Sequence, residues 1–209
     1  MLNVLLNRFK DFSPSELSHH AKPCCRQARS WFLAMDLSLR KQSSSPPVWI
    51  RNRYEWGPCR WPLYWCEVIR SHSLDCGALA ALAREAWRAR DISVFPCQLI
   101  QHVDRWTVAH RRSVWEKAGC SPEWAVGDLF YHEACAILRN GVLALWDPTV
   151  NITIEHSPRG TYGRVVAIKI CQPAYAHAHA PDSLRWSTVD VPHGRWVKID
   201  GESTLSTSR

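Results

Sequence analysis

The stretch CGALAALAREAWRAR at residues 76–90 decides the fold. Alanine and leucine are strong helix formers, and Cys76, Leu79 and Ala83 recur at the spacing of one helix face. Asp75 comes directly before this stretch, and aspartate is a preferred residue at the position that caps a helix. The pattern therefore predicts an amphipathic helix whose first turn contains Cys76.

After this helix the sequence changes to the alternating pattern of β-strands. Asn140–Gly141 is the strongest signal for a tight hairpin turn. The predicted strands cover residues 93–103, 106–114, 127–138, 142–146 and 162–171. One helix followed by a run of antiparallel strands predicts an α+β fold, with the helix packed on an antiparallel sheet.

The chain divides into three parts by composition. Residues 1–47 contain short apolar stretches, which predict one or two helices, and end in the linker sequence QSSSPP at 42–47. Residues 48–172 contain the predicted helix and strands and form the expected main domain. Residues 173–209 have weak periodicity, and we expect residues 201–209 to be disordered.

The formal net charge of +7 is compatible with an anionic partner such as an acidic peptide, an acidic carrier protein or a nucleic acid. The basic residues are dispersed, so we favour a solvated surface over a dedicated binding patch. Basic and aromatic residues alternate at 51–54 and 105–112. No nucleic-acid-binding motif accompanies them, so we do not expect nucleic acid as the partner.

The sequence indicates a reducing compartment. Residues 1–10, MLNVLLNRFK, lack the features of a secretory signal, and no apolar run approaches the roughly 18 residues that span a bilayer. We therefore expect a soluble cytoplasmic protein with reduced thiols and no membrane association. The nine cysteines form no C-x-x-C pair, since Cys24 and Cys25 are adjacent and Cys59 and Cys66 are seven apart. We expect no metal site and no cofactor.

Cys76 is the candidate nucleophile, because the amides at a helix N-terminus favour a thiolate and can donate to an oxyanion. A cysteine nucleophile also needs a base, and the base needs an acceptor that orients it. His132 and Asp147 supply both, on opposite sides of the Asn140–Gly141 turn. Pairing of the two arms would make them cross-strand neighbours about 5 Å apart. Glu133 would point to the opposite face of its strand, which leaves it out of the predicted triad.

Three motifs carry a resemblance to a known family: LDCGAL at 74–79, YHEA at 131–134 and LWDPT at 145–149. They resemble the transglutaminase-like superfamily, which shares the papain-related fold. In that family a cysteine opens a helix, a histidine follows on one strand, and an aspartate ends the next strand. The resemblance covers about residues 60–170 and implies the same α+β fold here.

The resemblance also implies the roles of the site residues. Cys76 would be the nucleophile, His132 the general base and then acid, and Asp147 the residue that orients the imidazole. The oxyanion hole would combine the Cys76 backbone amide with a second donor. The candidates for that second donor are Trp61, Trp65, Gln98 and Gln101.

Acyl-cysteine chemistry leaves several functions open. We rank hydrolysis of an amide or peptide bond first. The alternative is acyl transfer from an amide or an acyl-thioester donor to an amine, for which a basic surface would suit an acidic carrier. A non-catalytic binding module and a nucleic-acid-binding protein rank below these two.

Overall fold

The computed structural model describes seven ranges of the chain: residues 1–19, 23–40, 49–139, 142–149, 152–153, 164–171 and 194–199. Three predictions concern residues outside these ranges. They are the linker at 42–47, the Asn140–Gly141 turn and the disorder at 201–209.

The described residues form helices and a mainly antiparallel sheet, which confirms the α+β class. The helices are α1 (Leu2–Arg8), α2 (Cys24–Arg40), α3 (Trp49–Arg53), α4 (Trp65–Val68), α5 (Cys76–Arg88) and α6 (Arg105–Lys117). The strands are β1 (Glu55–Trp56), β2 (Ser73–Leu74), β3 (Val94–His102), β4 (Ala125–Val126), β5 (Leu129–Arg139), β6 (Val142–Asp147), β7 (Ile152–Thr153), β8 (Arg164–Ile170) and β9 (Val197–Lys198). Among the described residues, no helix combines the length and apolar character that a bilayer crossing requires.

The main sheet has the strand order β7-β6-β5-β3-β8-β9, and β4 also pairs with β5. All of these pairings are antiparallel. The long strands β5 and β3 lie near the centre, where neighbours cover both edges. Cys135 pairs with Trp146 and Arg139 with Val142, which is the register of a two-residue connection. The predicted hairpin arms are therefore confirmed over the described residues.

Helix α5 begins where the sequence predicts it. The side chain of Asp75 accepts a hydrogen bond from the Ala78 amide at 2.8 Å, so one of the unpaired amides of the first turn is satisfied. The helix is almost fully buried and packs on one face of the sheet, with Trp87 edge-on to Trp146 at 6.0 Å. Truncating Trp87 to alanine would cost roughly 3–5 kcal/mol, as expected for a large buried aromatic side chain. This packing fixes the position of Cys76 at the amino end.

The strand predicted over 106–114 is wrong, because these residues belong to helix α6. Asp104 caps the helix by accepting a hydrogen bond from the Thr107 amide at 2.9 Å. The buried residues of α6 are Val108 and Trp115, seven positions apart, which is two helical turns. Val108 and Trp115 thus form one narrow buried helix face, whereas Trp106 is exposed. The chain after β3 therefore enters a helix.

The N-terminal residues share the core of the main body. Phe32 of α2 is fully buried and contacts the rings of Trp49 and Trp65, with centroids 5.2 and 5.4 Å away. Phe9, just after α1, stacks on Tyr131 of β5 at 4.2 Å. These contacts bring the segment between α1 and α2 against the amino end of α5.

Candidate active site

His132 and Asp147 form a buried pair in the middle of the sheet. Nε2 of His132 lies 2.8 Å from Oδ2 of Asp147, and both side chains are inaccessible to solvent. The other carboxylate oxygen accepts a hydrogen bond from the Thr149 amide at 2.9 Å. The register pairs Cys135 with Trp146, which puts Asp147 two residues away from the position opposite His132. The pair is therefore diagonal, a distance that these side chains can reach.

Cys76 lies on the other side of the imidazole. The ring lies close enough to the thiol for the charge of the imidazole to act toward lowering the pKa of the thiol. Because Nε2 of His132 contacts Asp147, Nδ1 is the ring nitrogen left for the sulfur. Cys76 is half-buried and lines a cavity, so a ligand can reach its sulfur. The structure thus brings together the three residues that the sequence selected.

The pKa shifts show how burial and charge compete. Burial disfavours the charged form of His132, but the carboxylate of Asp147 and the Cys76 thiol outweigh it, and the pKa of His132 rises well above 6.5. Burial likewise opposes ionisation of Asp147, yet the imidazolium charge lowers the pKa of this carboxyl below 3.8. At Cys76 burial wins and raises the thiol pKa above 9.0 despite His132. The expectation of a low thiol pKa at this helix terminus is therefore wrong, because desolvation outweighs the imidazole.

The Cys76–His132 pair becomes reactive when it has lost one proton. The thiol–imidazole and thiolate–imidazolium forms contain the same number of protons, so the pair titrates as a unit. The raised pKa of His132 means that this proton is lost only well above pH 6.5. Nucleophilic attack by the sulfur is therefore favoured by rising pH.

No family model, curated protein or solved structure matches this chain. The resemblance to the transglutaminase-like superfamily therefore stays a prediction.

The cavity beside Cys76 has a volume of about 750 Å³ and is walled by aromatic rings. Its aromatic lining includes Phe12, Trp56, Trp61, Trp115, Trp124 and Phe130. Arg8 and Arg60 also line it and donate to the carbonyls of Glu123 and Ala118, respectively. A cavity of this size accommodates a drug-sized ligand. The lining selects an apolar or ring-bearing group, and the two guanidinium groups suit an anionic substituent.

The candidates for the second oxyanion donor have different surroundings. Trp61 lines the cavity and donates its indole N–H to Oδ2 of Asp75 at 2.7 Å. Trp65 is buried in the core against Phe32. Gln98 is buried in β3, where its amide donates to the Tyr131 hydroxyl at 2.7 Å. Trp61 is therefore the candidate that lies beside the cavity, and Trp65 and Gln98 serve packing and a buried hydrogen bond.

The sequence interpretation missed the role of Glu133. Its carboxylate is buried, lines the cavity, and accepts hydrogen bonds from the Ser15 amide, the Ser15 hydroxyl at 2.7 Å and the Tyr131 hydroxyl at 2.8 Å. Its charge also contributes to the raised pKa of Cys76. Glu133 thus belongs to the site without joining the triad. Ser15 had no detectable signal, because 118 positions separate it from Glu133 along the chain.

Asp75 is a second carboxyl group next to Cys76, the candidate nucleophile. Burial raises its pKa from 3.8 to about 6, although hydrogen bonds from the Ala78 amide and the Trp61 indole oppose this rise. Its negative charge in turn raises the pKa of Cys76. The helix cap therefore also influences the nucleophile.

Proposed function

We propose that the protein is a cysteine-dependent hydrolase of amide or peptide bonds that acts through an acyl-cysteine intermediate. The observations that support this function are the 2.8 Å contact between His132 and Asp147, the effect of the imidazole on the pKa of the Cys76 thiol, and the position of Cys76 on the wall of a large cavity. A cysteine that opens a helix, followed by His and Asp on neighbouring strands, is the arrangement of the transglutaminase-like and papain-related folds. We propose that this chain has that fold.

In the proposed reaction the Cys76 sulfur attacks the substrate carbonyl while its proton passes to Nδ1 of His132. The C–N bond then breaks, and the leaving amine takes that proton from the imidazolium. Water attacks the resulting thioester, His132 accepts the water proton, and the acid leaves as the sulfur regains its proton. Asp147 holds the ring by its 2.8 Å contact with Nε2 and stabilises the imidazolium in both halves.

The oxyanion would be stabilised by the backbone amide of Cys76 and by the indole N–H of Trp61. In the resting state this N–H is bonded to Asp75 at 2.7 Å. A donor that turns from a carboxylate to a developing oxyanion keeps a charge-assisted hydrogen bond throughout. Movement of Trp61 is therefore part of the proposed mechanism.

Acyl transfer to an amine is the second candidate. The aromatic lining of the cavity favours it, because rings on several sides limit the access of water to a thioester on Cys76. An amine that enters the cavity would then compete with water. The Arg8 and Arg60 side chains suit a donor with a carboxylate or phosphate group, including an acidic carrier.

The test is to incubate the protein with aryl amides and aryl thioesters, each with and without an added amine. Intact-mass analysis should show an acyl adduct on Cys76, and product analysis should show a free acid for hydrolysis or a new amide for transfer. The Cys76→Ser variant should form no adduct, whereas Cys171→Ser, at a half-buried thiol outside the cavity, should behave as the wild type. Adducts that persist in Cys76→Ser would contradict the proposal.

A further inference from the structure

A second cluster of sulfur atoms lies outside the candidate active site. Cys24 and Cys25 open helix α2, and Cys66 lies in helix α4. The three sulfur atoms all lie within 4.8 Å of one another, and those of Cys25 and Cys66 are 3.5 Å apart. Cysteines 41 positions apart in the sequence are therefore brought to one point by the fold.

The spacing of the sulfurs fits a bound metal ion. With Zn–S bonds of about 2.3 Å in tetrahedral geometry, ligand sulfurs are about 3.8 Å apart. The Cys25–Cys66 separation of 3.5 Å is slightly shorter than this value, and no separation exceeds 4.8 Å, so shifts of about 1 Å or less would complete the coordination. A disulfide would use only two of the sulfurs, whereas a metal ion accounts for the convergence of all three. We propose that Cys24, Cys25 and Cys66 bind one thiophilic divalent metal ion, with Zn²⁺ as the physiological class.

The surroundings hold these ligands in place. The backbone of Ser18 pairs with the segment before α4, since its amide donates to the Leu63 carbonyl at 2.9 Å and its carbonyl accepts from the Trp65 amide at 3.2 Å. This pairing anchors the chain close to both ligand-bearing helices. Helix α2 directs its amino end at the site, and the positive end of the helix dipole favours the negative charge of three thiolates.

Cys25 is buried, whereas Cys24 and Cys66 are half-buried, so one side of the cluster reaches solvent. Water can therefore supply the fourth ligand. The ion would connect α2 to α4 and thereby fix the N-terminal residues to the core that supports helix α5. Its expected role is structural, and it does not depend on the proposed hydrolase function.

The test uses the full chain with the Cys76→Ser substitution, so that the active-site thiol cannot bind the metal. We expect about one Zn²⁺ per chain by elemental analysis after purification under reducing conditions. Titration with Co²⁺ should give the thiolate-to-cobalt charge-transfer band and the visible bands of a tetrahedral site. A chelator should lower the melting temperature, and added Zn²⁺ should restore it.

Adding Cys24→Ser or Cys66→Ser should weaken Co²⁺ binding more than about tenfold and reduce the charge-transfer band. Adding Cys171→Ser, a half-buried thiol outside the cluster, should change neither. Chelator sensitivity of the unsubstituted cluster provides a test even where a serine variant does not fold. The absence of a charge-transfer band, or equal Co²⁺ binding in all variants, would overturn the proposal. An alkylation experiment that labels two cysteines fewer than the variant contains would also overturn it, because it indicates a disulfide.

Discussion

Nε2 of His132 lies 2.8 Å from Oδ2 of Asp147, although the sheet register does not pair the two residues directly. The diagonal contact leaves the other edge of the imidazole for Cys76 and lets the Thr149 amide hold the second carboxylate oxygen at 2.9 Å. Both members are buried, so water does not compete with either contact. The pair is therefore the element of the site on which the properties of the thiol depend.

Replacing His132 by alanine should slow alkylation of Cys76 by iodoacetamide. The charge of the imidazole acts toward lowering the pKa of the thiol, so its loss raises that pKa further above 9.0. Each added pKa unit reduces the thiolate fraction about tenfold, and we expect a decrease of roughly that size at pH 8. The rate is measured by peptide mass mapping of all nine cysteines.

His102→Ala is the matched control, because His102 also pairs with an aspartate, Asp128, at 2.9 Å but outside the cavity. The alkylation rates of the cysteines in the His102→Ala variant should equal those in the wild type. Equal Cys76 rates in wild type and His132→Ala would show that the imidazole does not act on the thiol.

Asp147→Asn should destabilise the protein by roughly 3 kcal/mol, the lower end for breaking a buried ion pair, because Asn keeps one acceptor oxygen. The raised pKa of His132 contributes stability that is complete below 6.5 and is lost as the pH rises through its folded value. The lowered pKa of Asp147 contributes stability above 3.8 that is lost on acidification. The difference in the free energy of unfolding between the variant and the wild type should therefore be largest between about pH 4 and 6.5.

Urea unfolding at several pH values measures this difference. Asp128→Asn serves as the control, and as an exposed pair it should cost less than about 1 kcal/mol. An NMR titration should also show a lower pKa for His132 in the Asp147→Asn variant. A flat pH dependence with an unchanged imidazole pKa would contradict the assignment of the buried pair.

Asp75→Asn should make the protein relatively more stable at pH 7 than at pH 4. The pKa of Asp75 is raised from 3.8 to about 6, so its contribution is complete below 3.8 and is lost as the pH rises through about 6. Asparagine caps a helix as well as aspartate and cannot ionise. Between pH 4 and pH 7, the free energy of unfolding of the variant should rise relative to that of the wild type by at most about 3 kcal/mol.

Asp104→Asn, at the cap of α6, is the matched control for this measurement. The hydrogen bonds with Thr107 lower the pKa of Asp104 below 3.8, so its pH dependence should have the opposite sign. The same sign and size at both caps would show that burial does not control the Asp75 carboxyl.

Gly77→Ala should destabilise the protein, although glycine to alanine in a helix usually adds about 1 kcal/mol of stability. A β-carbon on Gly77 would lie 2.9 Å from the β-carbon of Ser15, which cannot rotate away. The displaced Ser15 would lose its hydrogen bonds to Glu133. We expect a net cost on the order of 1–3 kcal/mol in urea unfolding.

The double variant Gly77→Ala with Ser15→Gly removes the obstructing β-carbon and should recover part of the loss. The two substitutions should therefore be non-additive, with Ser15→Gly alone as the reference. Additive losses of unfolding free energy, or a Gly77→Ala variant more stable than the wild type, would exclude the close contact between Ser15 and helix α5.

Much of the candidate site could be predicted from the sequence. The composition of residues 76–90 and the capping residue Asp75 predicted helix α5 with Cys76 in its first turn. The arms of the hairpin predicted that His132 and Asp147 would meet. These features depend on residues close together in the chain, so periodicity, caps and turn signals are enough to indicate them. The strand predicted at 106–114 failed because the residue pattern also fits a narrow helix face, and Asp104 decided for α6.

Other properties were decided by the tertiary structure alone. It placed Trp61 on the cavity wall and Trp65 and Gln98 away from it, joined Ser15 to Glu133, and brought Cys66 to Cys24 and Cys25. It also reversed the expected pKa shift of Cys76, because burial exceeds the effect of the neighbouring imidazole. Burial and long-range contacts depend on which distant segments cover a residue, and local sequence carries no measure of that. The sequence determined which residues could form the candidate site, and the packing of the described segments around them determined their environment.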